Sequence, residues 1–352
     1  MTDEPDVLTR IEGSVGRITL NRPKALHALT TDMCRMMIDA LVDWLGDPAV
    51  HFVLIDHAGE RGFCAGGDIR MLAESGARDG FAAREFFFTE YRLNHLIFEY
   101  PKPVMAIMDG VTMGGGVGLA LPSRYRVATE RTTFAMPETG IGLFPDVGGG
   151  WHLPRLPGKA GLWLALTGAR LKAADCELLG LATDYVESDS LARLKALVIA
   201  DPAAVETHLT LLEADAGRPP LAAHRDEMDR LFDGERVEAI VAALEADGGA
   251  WAAAQLEVLK TKSPQTLKVA FRQLALGAQA KTFAENMEME YRIGARVVGL
   301  YDFIEGVRAV IVDKDNAPRW NPTSLEGVSE AMLDEIFAPL PSAQTWRPLP
   351  LE

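Results

Sequence analysis

The chain has 352 residues, enough for a large core and for more than one packed unit, and its 48% hydrophobic and 24% charged residues are an ordinary globular composition. Its net charge of −15 argues against an extended phosphate-binding surface, so no nucleic-acid partner is expected, although a small anionic ligand needs only a local Lys or Arg. No run reaches the roughly 18 uncharged apolar residues of a membrane helix, and the acidic start MTDEPDVLTR lacks the apolar stretch of a secretory signal, so no membrane partner is expected.

In chain order, residues 17–20 (RITL) and 51–57 (HFVLIDH) read as strands, the second almost wholly buried. Between them, residues 31–45 read as a helix with Met33, Met36, Met37, Ala40, Leu41 and Trp44 on one face. Thr30 or Thr31 caps its start, and Gly46 with Asp47-Pro48 ends it. A second helix is expected over 82–100, then a buried strand over 103–108 (PVMAIM) and two short strands at 125–128 and 133–135. This alternation predicts an α/β core. From about residue 159 to 312 the patterns are mostly helical. Residues 313–325 read as a loop, and 341–352 as a Pro-containing tail. The expected division is a core over 1–205 and a helical extension over 206–352.

Two glycine clusters follow expected strands: 62-GFCAGGDIRML-72 and 109-DGVTMGGGVGLAL-121. Neither is followed by the GK[ST] of a phosphate loop, and Leu119 stands where a dinucleotide fingerprint needs its third glycine. Glycine at a strand-to-helix turn lets backbone approach a ligand closely. The helix that follows presents unpaired N–H groups. Two such turns facing each other would offer two donors to one oxygen, an oxyanion hole. The alternative is that the glycines serve only close backbone packing.

These residues carry a signature. The chain resembles the crotonase (enoyl-CoA hydratase/isomerase) superfamily through NRPKALHAL at 21–29, GFCAGGDI at 62–69, PKPVMAIMDGVTMGGGVGLAL at 101–121 and FAMPETGIGLFPDVGG at 134–149. Within it, MPETGIGLFPDVGG, the stretch DFIEGVRAVIVDKDNAPRWNP at 302–322 and the chain length look most like the 3-hydroxyisobutyryl-CoA hydrolase branch. The resemblance implies a spiral of ββα units followed by a C-terminal helical extension, and an acyl-CoA thioester as substrate. It implies an oxyanion hole from the backbone N–H groups of Ala65 and Gly115, with Gly66 and Gly114 as neighbouring candidates. It places Lys24, Ala25 and Leu26 at the CoA entrance, with Gly67, Asp68 and Ile69 also beside substrate. No cofactor is implied, since CoA arrives as part of the substrate, and a homo-oligomer is a possibility the family raises.

The chain departs from the hydratase pattern at two positions. Hydratases of the superfamily carry a glutamate after the glycine run and a second in the PE motif. Here Gly118 occupies the first place, Glu138 the second, and Asp146 adds a new acid where hydratases typically have glycine. Thioester hydrolysis needs a base or nucleophile at the carbonyl and proton management for the leaving thiolate. Two carboxyls in unlike environments can divide those tasks. Glu138 is therefore expected to act on the carbonyl, by activating water or by direct attack. Asp146 is expected to bind a 3-hydroxyl or to handle protons. The bland readings are an ion-pair or cap residue for Glu138 and a turn residue for Asp146. Three functions stay open: hydrolysis of a short-chain 3-hydroxyacyl-CoA, with the 3-hydroxyisobutyryl ester of valine breakdown in front; hydration or isomerisation with Glu138 as single acid/base; and a non-catalytic CoA-binding subunit.

Among the remaining residues, Lys24 is either a phosphate contact or a solvated surface lysine. Asp68 suits a helix cap and His27 a satisfied loop histidine. Glu90, Arg92 and Glu99 lie on the helix 82–100 without an assigned role. Met287, Tyr291 and Val298 read as a core stripe, and Trp320 as an anchor or a pocket cover. Cys34, Cys64 and Cys176 are odd in number and far apart. They predict no disulfide framework, no zinc site and a reducing cytoplasm. Cys64 reads as a small buried hydrophobe rather than a nucleophile. The seven histidines form no metal-binding spacing, so no metal is expected.

Overall fold

A computed structural model describes residues 4–350; the first residues of the acidic N-terminal stretch and the last of the Pro-containing tail lie outside the described residues. By contacts the chain divides into two interleaved units, residues 1–67, 92–135 and 170–220 in one, and 68–91, 136–169 and 221–352 in the other. The expected single division near residue 205 differs from this. The segments 68–91 and 136–169 are helical excursions between strands, and their contacts group them with the C-terminal helices.

The first unit holds both sheets. Six strands run in the order β1 (Val7–Glu12), β2 (Val15–Leu20), β3 (Phe52–His57), β5 (Val104–Met108), β7 (Tyr125–Ala128) and β9 (Asp184–Tyr185). The β1–β2 pair is an antiparallel hairpin, and every later pairing is parallel, with Val15 opposite Phe52, Val53 opposite Val104 and Met105 opposite Tyr125. Parallel strands covered on both faces read as continuous apolar runs, which is why 52–57 and 104–108 were legible. Alternate residues Phe52 and Leu54, Met105 and Ile107, and Tyr125 and Val127 bury one face against Leu191, Leu194, Val198, Val205 and Leu209. The helix α1 (Thr31–Gly46) starts where Thr30 Oγ1 accepts from Met33 N at 3.2 Å, and it buries Met33, Met37, Ala40, Leu41 and Trp44.

A second, three-stranded parallel sheet stacks β4 (Gly62–Cys64), β6 (Val111–Met113) and β8 (Thr133–Ala135). Repetition of a long strand, a short strand and a helix gives the ββα spiral. The glycines set how closely its turns stack. A Cβ on Gly116 would lie 2.3 Å from Cys64 O, and one on Gly110 would lie 2.7 Å from Gly62 Cα. Backbone here cannot yield as a flexible side chain would. Gly116→Ala should therefore lower stability by about 1–3 kcal/mol, read as a fall in the melting temperature.

The second unit is helical among its described residues. It contains α2 (Ile69–Gly76), the first part of α3 (Phe81–Phe98), the turn Glu138–Ile141, and helices including Ala160–Thr167, Pro264–Gly277 and Phe283–Val297. Asp68 caps α2, its Oδ1 accepting from Met71 N at 3.3 Å, in keeping with the capping role expected of it. No helix among the described residues is long and apolar enough to cross a membrane.

Candidate active site

In the sheet unit, the two glycine turns lie side by side. Gly66 sits at φ +118°, a backbone state that disfavours any side chain, and a Cβ there would stand 3.7 Å from Gly115 N and 3.6 Å from Met113 O. Gly115 opens α4 (Gly115–Ala120), so its N–H is one of the first-turn donors without an intrahelical partner. Gly114 precedes it at φ +47°.

The first expected donor needs correcting. The N–H of Ala65 already donates to Leu26 O at 3.0 Å, so it is not free for a ligand oxygen. Of the neighbouring positions the motif left open, Gly66 keeps its N–H free among the described residues, as does Gly67 beside it.

The bond that occupies Ala65 has a purpose. It straps the loop 22–29 onto the first glycine turn, together with Leu29 N donating to Gly66 O at 2.8 Å and Cys64 Sγ donating to His27 O at 3.2 Å. His27 Nδ1 accepts from Arg22 N at 3.0 Å, and Nε2 donates to Ala58 O at 2.9 Å. Burial depresses the His27 pKa, so the ring is the neutral tautomer these partners require. Leu26 and His27 both adopt left-handed backbone, φ 49° and 55°, and the strapping bonds hold them there. Leu26 is thereby held against Ala65, and Lys24 two residues earlier is exposed. His27 and Cys64 are structural, as their sequence contexts indicate.

In the helical unit, four carboxyls share one interior. Glu138 opens the turn Glu138–Ile141 and is 4% exposed, with Oε2 lacking a partner among the described residues. Gly142 ends that turn at φ +72°, where a Cβ would strike Asp302 O at 2.2 Å. Ser263 N donates to Thr139 O at 3.2 Å, tying the turn to the start of the helix Pro264–Gly277. Burial, then the charge of Asp146, raises the Glu138 pKa well above the ordinary carboxylate range, with Lys262 opposing. Asp146 is also buried, and Tyr91 Oη donates to its Oδ2 at 2.8 Å. Burial pushes the Asp146 carboxyl up to about 7, while the Tyr91 hydrogen bond pulls the other way. Glu90 is buried with Oε1 unpartnered among the described residues, and burial followed by the charges of Asp146 and Glu138 raises it too.

The fourth acid, Glu290, holds the backbone after Asp146. Its Oε2 accepts from Gly148 N at 2.7 Å and its Oε1 from Gly150 N at 2.8 Å. Asn286 Nδ2 at 2.9 Å and Gln273 Nε2 at 3.2 Å also donate to Oε1. This carboxyl fixes a turn in which Val147 and Gly148 take φ 52° and 92°. Burial pushes Glu290 up to about 8 against these donors.

Sequence reasoning found Glu138 and Asp146 and left Glu90 on a helix without a role. It missed Tyr91 and Glu290. In ENMEMEYR, Met287 and Tyr291 are core as expected, but Glu290 is fully buried on the same helix. A glutamate between apolar neighbours in an amphipathic stretch was the available signal. Trp320 is an anchor, its Nε1 donating to Thr261 O at 3.0 Å.

A family model described as Enoyl-CoA hydratase/isomerase matches residues 15–337. Among curated proteins, the chain is similar to "3-hydroxyisobutyryl-CoA hydrolase, mitochondrial" of Danio rerio, 48% identical over 95% of this chain and 90% of that protein. It is 44% identical to the protein of the same name from Homo sapiens, over 96% of this chain and 90% of that one. Among solved structures, it is similar to a carnitinyl-CoA dehydratase from Mycobacterium thermoresistibile, with a TM-score of 0.93 and 41% identity over 97% of this chain and 99% of that one. An enoyl-CoA hydratase from Rhodobacter sphaeroides 2.4.1 matches with a TM-score of 0.90 and 41% identity over 97% of this chain and 100% of that one. The relatives' names correct the expected cytoplasmic location, because they point to the mitochondrion instead. The three buried cysteines form no disulfide, which fits a reducing compartment and does not say which one.

Proposed function

Since this chain belongs to the enoyl-CoA hydratase/isomerase family, we infer from it and from the hydrolase relatives that the enzyme cleaves 3-hydroxyisobutyryl-CoA to 3-hydroxyisobutyrate and CoA. We assign the chemistry as follows. The thioester carbonyl oxygen takes hydrogen bonds from Gly115 N–H and from the Gly66-Gly67 pair, which stabilise the negative charge it gains. Glu138 acts on the carbonyl carbon. As nucleophile it forms a mixed anhydride as the C–S bond breaks and the thiolate leaves, and water then cleaves the anhydride. As general base it takes the proton from a water that attacks the carbonyl carbon, and the C–S bond then breaks with the thiolate leaving. Asp146 accepts a hydrogen bond from the substrate 3-hydroxyl. Lys24, Ala25 and Leu26 line the CoA entrance, with Lys24 open to a phosphate. CoA enters as part of the substrate and leaves as a product, the step falls in valine breakdown, and self-association of the chain is to be read by sedimentation.

The exchange of acids favours hydrolysis over hydration. Gly118 has no carboxylate to pair with Glu138 across a double bond, while Asp146 stands eight residues after Glu138 with its pKa raised to about 7. A second reading, hydration or dehydration, draws on the names of the two solved structures. Assay of 3-hydroxyisobutyryl-, 3-hydroxypropionyl- and crotonyl-CoA separates the two. Hydrolysis releases free thiol, fastest from 3-hydroxyisobutyryl-CoA. Loss of the enoyl absorbance of crotonyl-CoA with no thiol released would overturn the hydrolase reading.

A further inference from the structure

We propose that Tyr91 is a specificity-determining positioning residue, whose hydroxyl holds one oxygen of Asp146 so that the other is presented to the 3-hydroxyl of the acyl group. The proposal rests on the role just given to Asp146. Its basis is geometric. Tyr91 is fully buried on α3, and its Oη donates to Asp146 Oδ2 at 2.8 Å, the one side-chain hydrogen bond to this carboxyl among the described residues. Two features keep the hydroxyl in place. The Phe87 ring lies one helical turn earlier with its centroid 5.6 Å from the Tyr91 ring. Gly294 on the helix Phe283–Val297 makes room, since a Cβ there would stand 3.4 Å from Tyr91 Oη. The backbone after Asp146 is held separately, through Gly148 N and Gly150 N on Glu290. Asp146 is thus fixed from its side chain by Tyr91 and from its following turn by Glu290.

The surroundings explain why a donor is needed. The carboxyls of Glu90 on α3, Glu138 on the turn after β8 and Glu290 on the helix Phe283–Val297 all act on this interior, and Lys262 is the opposing charge at Glu138. An Asp146 without the Tyr91 hydrogen bond faces like charges and takes up a proton more readily, and its carboxyl is free to rotate. Either change weakens acceptance of a hydrogen bond from the substrate hydroxyl. An acyl group without that hydroxyl does not depend on it.

The test compares wild type and Tyr91→Phe on 3-hydroxyisobutyryl-CoA and on isobutyryl-CoA, by thiol release across pH. The variant should lose roughly tenfold or more in kcat/KM on the hydroxylated substrate and stay nearly unchanged on isobutyryl-CoA. The pH profile on the hydroxylated substrate should move upward. On the hydroxylated substrate, Tyr91→Phe added to Asp146→Asn should cost little more than Asp146→Asn alone. Equal losses on both substrates, or an additive double variant with an unmoved pH profile, would overturn the proposal. No thiol release by wild type from either substrate would instead overturn the hydrolase reading, and this proposal with it.

Discussion

Replacing Glu138 by glutamine is expected to lower kcat for thioester hydrolysis roughly 10²–10⁴-fold while leaving the protein folded. The structure separates these two outcomes. Glu138 is buried, yet its Oε2 supports no partner among the described residues, so the substitution breaks no side-chain network. Glutamine has nearly the same shape and removes a carboxyl whose burial beside Asp146 already raises its pKa. The melting temperature should therefore stay level or rise. Buried polar groups without partners are costly to a fold, and an unsatisfied acid in a tight interior is better understood as kept for chemistry than for stability. The measurement is thiol release from 3-hydroxyisobutyryl-CoA alongside a thermal melt. A variant that loses activity only in step with its melting temperature would make Glu138 structural.

What the sequence made visible follows from range. Local chemistry was legible: Thr30 capping α1, the continuous apolar runs of β3 and β5, the glycine turns, and the two acids in one short motif. The short strands β4 and β6 were hidden because they lie inside glycine-rich segments that read as turns, and they are strands only because β6 pairs with β4 on one side and β8 on the other. β1 was unannounced because VLTRIE is half polar and pairs as the outer member of the hairpin. Ala65 was chosen as a donor from the motif alone. Only the fold shows that the loop 22–29 crosses it and uses its N–H. Tyr91 and Glu290 lie 55 and 144 residues from Asp146 in sequence, and their windows read as ordinary amphipathic helix. Their roles exist only in the packed interior, where a carboxyl must find donors or keep a proton. The compartment was misread for a different reason, since composition reports redox state and not address.

The second large effect is expected at Glu290. Glu290→Ala should destabilise the protein by roughly 3–5 kcal/mol, from orphaned donors and a cavity together. Gly148 N and Gly150 N would lose their acceptor inside the protein, as would the amides of Asn286 and Gln273. The left-handed Val147 and Gly148 would then have no carboxyl to hold them, and Asp146, immediately before them, would lose its fixed start. Activity should therefore fall along with stability, unlike the case of Glu138. The pH dependence carries a sign. The Glu290 pKa is raised from 4.5 to about 8 by burial, so between these values the folded protein binds more protons here than the unfolded chain. The stability attributable to Glu290 is then greatest below about 4.5 and declines as pH rises towards 8. The gap between wild type and Glu290→Ala, taken from denaturant midpoints, should narrow across that interval. If it widened, the four donors would outweigh burial and hold Glu290 as a carboxylate.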